Sequence, residues 1–160
     1  MGRREVTLRR RAEALRPKLE ALYERYHQAC WIGSDPIQFI YRFDGEADRE
    51  IVGLLAASLA YGNVATINTS IGRVLERLEG RPHDFLLAKS EGEIFRAMAG
   101  FRHRWTDQTA MAGFLNGVRR VVRAHGSLGA AFRKGYPGGP DYSGALSRWV
   151  ELVQPATVGR

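Results

Sequence analysis

The chain has 160 residues, 44% of them hydrophobic and 26% charged, which is ordinary for one globular domain. Its longest apolar run, residues 51–61, is about half of what a bilayer span requires, and a single Cys30 excludes an internal disulfide. The formal charge of +7 is unevenly spread: residues 97–160 hold nine Lys/Arg against three acids, residues 1–96 hold 15 against 14.

The N-terminus carries Arg3, Arg4, Arg9, Arg10 and Arg11, with no apolar segment behind them to make a secretory signal. Glu5 and Glu13 argue against a transit peptide, so the expected compartment is the cytoplasm. A first helix is predicted over residues 6–30, with Leu15, Leu19, Leu22, Tyr23 and Tyr26 at helical spacing. Pro17 either kinks it or separates it from a basic arm. Ser34-Asp35-Pro36 is a helix start, a capping residue followed by Pro at the first helical position, and opens a short helix over residues 36–42.

The most informative segment begins near Ala47. Ile51, Val52, Leu54, Leu55, Ala56, Leu59 and Ala60 make a helix apolar on nearly every side. Such a helix belongs in the interior, so the rest of the domain is expected to wrap around it. Asn63 caps the next helix, where Val64, Ile67, Ile71, Val74, Leu75 and Leu78 form one apolar stripe. Short helices follow over residues 82–88 and, capped by Ser90, over 91–98. Gly100-Phe101-Arg102-His103-Arg104-Trp105 is a basic and aromatic connector. Thr106 then caps a long helix ending at Gly126, with Met111, Phe114, Leu115, Val118, Val121 and Val122 facing the core. Asn116, Arg119, Arg120 and Arg123 fall on its other side. Ser127 starts a helix to about residue 134, a Gly/Pro-rich loop covers 135–141, and a last helix covers 142–153. No strand is predicted.

Few constellations carry chemistry. Glu24 and His27 form one Glu-x-x-His pair, with Cys30 a turn further on, but no second ligand pair is visible, so neither a metal nor a cofactor is expected. No strand-turn-helix elbow holds a Ser, and no Gly-rich loop with a Lys cradles a phosphate. His103 with Asp107 is the nearest approach to a hydrolytic pair.

Two features point to nucleic acid. Tyr61-Gly62-Asn63 reads either as helix punctuation, with Gly62 left-handed and Asn63 a cap, or as an aromatic beside free helix amides that meets bases and phosphates. Arg102-His103-Arg104-Trp105, then Arg119, Arg120 and Arg123, and Arg133-Lys134, read either as a surface whose cations bind phosphates and whose aromatic faces stack on bases, or as a solvated helix face with Trp105 anchored in the core.

Leu22-Tyr23-Glu24-Arg25-Tyr26, Asp35-Pro36-Ile37-Gln38-Phe39-Ile40-Tyr41-Arg42-Phe43, residues 48–64 and the residue 100–105 connector resemble a bacterial family known as a domain of unknown function, from about Leu19 onward. The order of elements is more distantly similar to the first half of helix-hairpin-helix DNA glycosylases of the endonuclease III type. That resemblance implies an orthogonal helical array in which the turn after the buried helix faces the DNA. Ala60 or Tyr61 would lie there, with Tyr61 the better size to fill the gap left by a flipped base. The hairpin and catalytic residues of those enzymes lie beyond the matched region, as does the Pro-x-Asp-Thr-His segment of longer family members. The sequence stops at Gln154-Pro155-Ala156-Thr157-Val158-Gly159-Arg160, and its lysines are Lys18, Lys89 and Lys134.

The expectation is thus an all-α chain: a basic arm over residues 1–15, one domain over 16–153 and a tail over 154–160 that marks a truncation. Its expected role is to bind DNA, as a repair-like module without a complete catalytic site. Arg102, Arg104, Arg119, Arg120 and Arg123 would hold phosphates beside Tyr61, Gly62 and Asn63. The alternative is a helical module that associates with itself or with a partner chain.

Overall fold

In the computed structural model, which describes residues 3–154 and side chains from Val6 onward, the contacts divide the chain into a unit ending at Asp35 and another beginning at Pro36. Met1, Gly2 and residues 155–160, including most of the expected tail, lie outside the described residues.

The first unit is one long helix and a turn. Helix α1 runs Arg3–Tyr26 and continues through Pro17 and through the residue 15/16 boundary without interruption. It ends four residues earlier than the spacing predicts because its last carbonyls are taken by side chains. Gln28 Nε2 donates to the Glu24 carbonyl at 2.8 Å, and Trp31 Nε1 donates to the Arg25 carbonyl at 3.3 Å. A 3-10 helix, Ala29–Ser34, follows. His27 stacks on Tyr23 with ring centroids 4.5 Å apart.

The second unit is all-α apart from one small hairpin. After the 3-10 helix Pro36–Arg42 come α2 (Glu46–Leu59), α3 (Val64–Arg77), α4 (Pro82–Ala88) and α5 (Glu91–Ala97). Strands β1 (Arg102–His103) and β2 (Thr106–Asp107) then pair antiparallel, against the expectation of no strand. Helices α6 (Gln108–His125), α7 (Leu128–Gly135) and α8 (Ser143–Val153) complete it. The N-cap of α6 is Asp107, whose carboxylate accepts from the Ala110 amide at 2.9 Å; Thr106 is held in the hairpin instead.

The core gathers Ile51, Val52, Leu55 and Leu59 of α2, Ile67, Ile71, Val74 and Leu75 of α3, and Met111, Leu115, Val118 and Val122 of α6. Each such aliphatic contributes roughly 1.5–3 kcal/mol by leaving water. The stripe on α3 is buried as its spacing predicts, except Val64 in its first turn, which is exposed. Helix α2 packs against α3, α4, α7 and the 3-10 helix, yet Ala57 and Ser58 remain exposed, so it is enclosed on most sides rather than all.

The first turns of α2 also fix its neighbours. The Asp48 carboxylate accepts from the His83 amide of α4 at 2.8 Å, and that of Glu50 accepts from the Gly129 amide of α7 at 3.1 Å. Two acids on one helix thereby satisfy orphan amides at the starts of two others. Beside Glu50, an apolar groove of about 340 Å³ runs between Leu54, Leu128, Phe132, Leu146 and Trp149. Among the described residues no helix is long and apolar enough to cross a membrane, and no group of three or more His, Cys, Asp or Glu is placed to hold a metal.

Candidate nucleic-acid interface

The corner after α2 is built by local rules. Tyr61 N–H donates to the Leu59 carbonyl at 2.7 Å, and Gly62 takes φ +111°, a left-handed conformation that side chains disfavour. Asn63 Oδ1 accepts from the Ala65 amide at 2.9 Å and from the Thr66 amide at 3.4 Å, starting α3. The punctuation reading of Tyr61-Gly62-Asn63 therefore holds for Gly62 and Asn63, both of which are exposed.

Opposite this corner stands the hairpin. Arg102 pairs with Asp107 and His103 with Thr106, leaving Arg104-Trp105 as a two-residue turn. Arg104 adopts φ +53°, in keeping with the primed turns that join twisted strands. Gln108 anchors the base, accepting from the Gly100 amide at 3.2 Å and donating to the Phe95 carbonyl at 3.0 Å.

His103 is 1% exposed and welds the two elements. Its Nε2 lies 3.2 Å from the Tyr61 carbonyl, which can only accept, so Nε2 carries the hydrogen. Its Nδ1 then accepts from the Ser70 hydroxyl of α3 at 2.9 Å. The Tyr61 hydroxyl donates to the His103 carbonyl at 3.2 Å and accepts from the Thr106 hydroxyl at 2.5 Å. Asp107 is occupied in capping α6, so the His103–Asp107 pair considered from the sequence does not form.

On this base sits Trp105, 72% exposed, with its ring 5.1 Å from that of Tyr61 and tilted 11° to it. The Arg104 guanidinium lies 4.9 Å from the Trp105 centroid and also covers Gly62. Trp105 is thus not anchored in the core. Sequence puts Trp105 in the aromatic and basic connector but cannot tell an exposed indole from a core anchor, so it does not stand among the expected contact residues. Tyr61 is half-buried beneath it.

The cations divide into two groups. Among the described residues, Arg102 and Arg104 are exposed and within ion-pair distance of no carboxylate, although Asp107 stands opposite Arg102 on the hairpin ladder. The α6 arginines are engaged elsewhere: Arg120 Nη2 donates to the Gln154 carbonyl and Arg123 Nη2 to the Leu87 carbonyl, both at 2.7 Å. Arg119 is 3.9 Å from Glu91 with its side chain 12% exposed. Arg119 and Arg123 follow the start of α6 by roughly 16 and 22 Å along the axis, at 1.5 Å per residue. The structure therefore brings Tyr61, Gly62, Asn63 and Arg104 together beside the hairpin that carries Arg102. It sets Arg120 and Arg123 to closing the ends of α8 and α4, and leaves Arg119 beside Glu91 at the start of α5.

The second unit is therefore helical apart from an aromatic and basic hairpin that packs on the turn after α2. The chain belongs to a protein family of unknown function, DUF2400, whose model matches residues 35–158 and so covers the second unit while leaving α1 outside. No curated protein and no solved structure matches it.

Proposed function

We propose that this chain is a DNA-binding, repair-like helical module whose contact surface is the corner formed by residues 61–63 and 102–105. The observation that carries the reading is the exposed Trp105, stacked on Tyr61 and attended by Arg104, with no carboxylate paired to that arginine among the described residues. Arginine neutralises phosphate and releases counterions, while an aromatic face stacks on a base. The resemblance to the first half of helix-hairpin-helix DNA glycosylases supports it too, since there the turn after the buried helix faces the DNA. The excess of cations over residues 97–160 adds a long-range attraction for polyanions.

Fluorescence anisotropy with labelled duplex, intact and carrying an abasic site, tests the reading. Binding at low salt is expected, with a log–log salt slope of about −2 if Arg102 and Arg104 alone meet phosphates. Absence of binding at low salt to both duplexes and to a single strand of the same sequence overturns it.

A second reading, association with another copy of the chain, is supported by Leu146, Val150 and Leu152 on α8, each more than two-fifths exposed. Sedimentation velocity decides it: a single monomer boundary at tens of micromolar removes this reading.

A further inference from the structure

We infer that Trp105 is the stacking residue of this corner, and that it takes a nucleotide whose base face is uncovered, with the adjoining phosphate on Arg104. This rests on the DNA-binding reading above and names its substrate class: a single strand, or a duplex opened at a gap or abasic site. The resemblance assigns the stacking role to Tyr61, but the geometry reverses it. One face of the Tyr61 ring carries Trp105, the His103 ring lies 4.7 Å from it at 65°, and its hydroxyl is bonded to both strands of the hairpin. Tyr61 is the floor of the site. Trp105 stands at the tip of the turn with 72% of its surface in solvent.

The floor matters because it sets the indole plane before any ligand arrives. An indole already stacked on a tyrosine that is itself bonded to the hairpin loses less freedom on binding. Within an intact duplex each base face is covered by its neighbours, so an indole finds nothing to stack on unless a base is unpaired or missing. Intact duplex can then engage the arginines alone. The substrate preference follows from the exposed ring and not from the charge.

The test compares wild type with Trp105→Ala and Trp105→Phe on a single-stranded oligonucleotide, an abasic duplex and an intact duplex. Trp105→Ala is expected to weaken binding to the first two by about tenfold or more, the usual consequence of removing one base–aromatic stack. A loss confined to one of them supports the inference and names the source; intact duplex is expected to change little. Trp105→Phe keeps a stacking face and retains most of the affinity. In a Trp31→Phe background, quenching of indole emission by the single strand disappears with Trp105→Phe. Equal losses on all three ligands, or no loss on any, overturn the inference while leaving the DNA-binding reading in place. Failure of wild type to bind any of the three at low salt overturns both. Thermal melts of the variants, expected to match wild type because the side chain is exposed, exclude loss of fold as the cause.

Discussion

Tyr61 and His103, 42 residues apart in sequence, are tied by a reciprocal pair of hydrogen bonds. The tyrosine hydroxyl donates to the histidine carbonyl, and the imidazole Nε2–H donates to the tyrosine carbonyl, both at 3.2 Å. Each residue gives one side-chain donor and one backbone acceptor, so neither can leave without opening the other. The hairpin is thereby fixed to the end of α2.

Tyr61→Phe removes the hydroxyl and keeps the ring beneath Trp105. The expected cost is about 1 kcal/mol, the ordinary net worth of such bonds. His103→Ala also empties a buried site and leaves the Ser70 hydroxyl and the Tyr61 carbonyl without this partner, so roughly 2–4 kcal/mol is expected. Urea unfolding of both variants checks the order. A Tyr61→Phe loss equal to that of His103→Ala would show that the hydroxyl, and not the imidazole, holds the hairpin.

A pair of helix glycines should respond in opposite directions. A Cβ on Gly117 would lie 1.8 Å from the Val153 carbonyl oxygen, so Gly117→Ala forces α8 away from α6 and should cost about 1–3 kcal/mol. A Cβ on Gly72 meets nothing within 4 Å, and Gly72→Ala should stabilise α3 by about 0.5–1 kcal/mol. Thermal melts that fail to separate the two would contradict the close approach of α6 and α8.

What was legible in the sequence follows from how far each cause reaches. Pro82 sets the start of α4, and Ser90, Asn63 and Ser127 cap their helices through amides two or three residues away, so those starts could be read locally. The buried stripes of α3 and α6 repeat within one helix and were equally plain. The end of α1 was misjudged because it depends on side chains of Gln28 and Trp31 folding back. The hairpin was missed because two-residue strands have no periodicity to detect. For the arginines, sequence shows charge but not destination: nothing near Arg123 announces the Leu87 carbonyl, 36 residues earlier. Trp105 was ambiguous for the same reason, since its exposure is decided by Tyr61 and Ser70 holding the neighbouring His103.

As pH falls, the α5 capping box is expected to hold past the ordinary carboxyl range and to weaken only once Glu93 takes up its proton. The Ser90 hydroxyl and then the Ser90 amide hold the Glu93 carboxyl below its ordinary range. A carboxyl with a lowered folded pKa adds stability that is fully present above the unfolded value, about 4.3, and is lost as pH falls through the folded value. Ser90→Ala should move the Glu93 titration upward toward the ordinary range. An NMR titration of the Glu93 side-chain carboxyl reads this directly, and an unchanged midpoint in Ser90→Ala would remove Ser90 as the cause.

Arg104 and Arg123 separate a binding cation from a structural one. Arg104 has no carboxylate partner and sits at the turn, whereas Arg123 closes the end of α4 by donating to the Leu87 carbonyl at 2.7 Å. If the corner meets phosphate, Arg104→Ala should weaken DNA binding at low salt and make the log–log salt slope shallower by about 0.9, the share of one phosphate contact. Its melting temperature should change little, since the side chain is exposed and only its cover over the indole is lost. Arg123→Ala should do the reverse, lowering stability by about 0.5–1.5 kcal/mol while the slope stays unchanged. A slope near −4.5 in the wild type, the value for five phosphate contacts, would instead mean that Arg119, Arg120 and Arg123 release their carbonyl and carboxylate partners to meet DNA. The contact surface would then run along α6 rather than end at the hairpin.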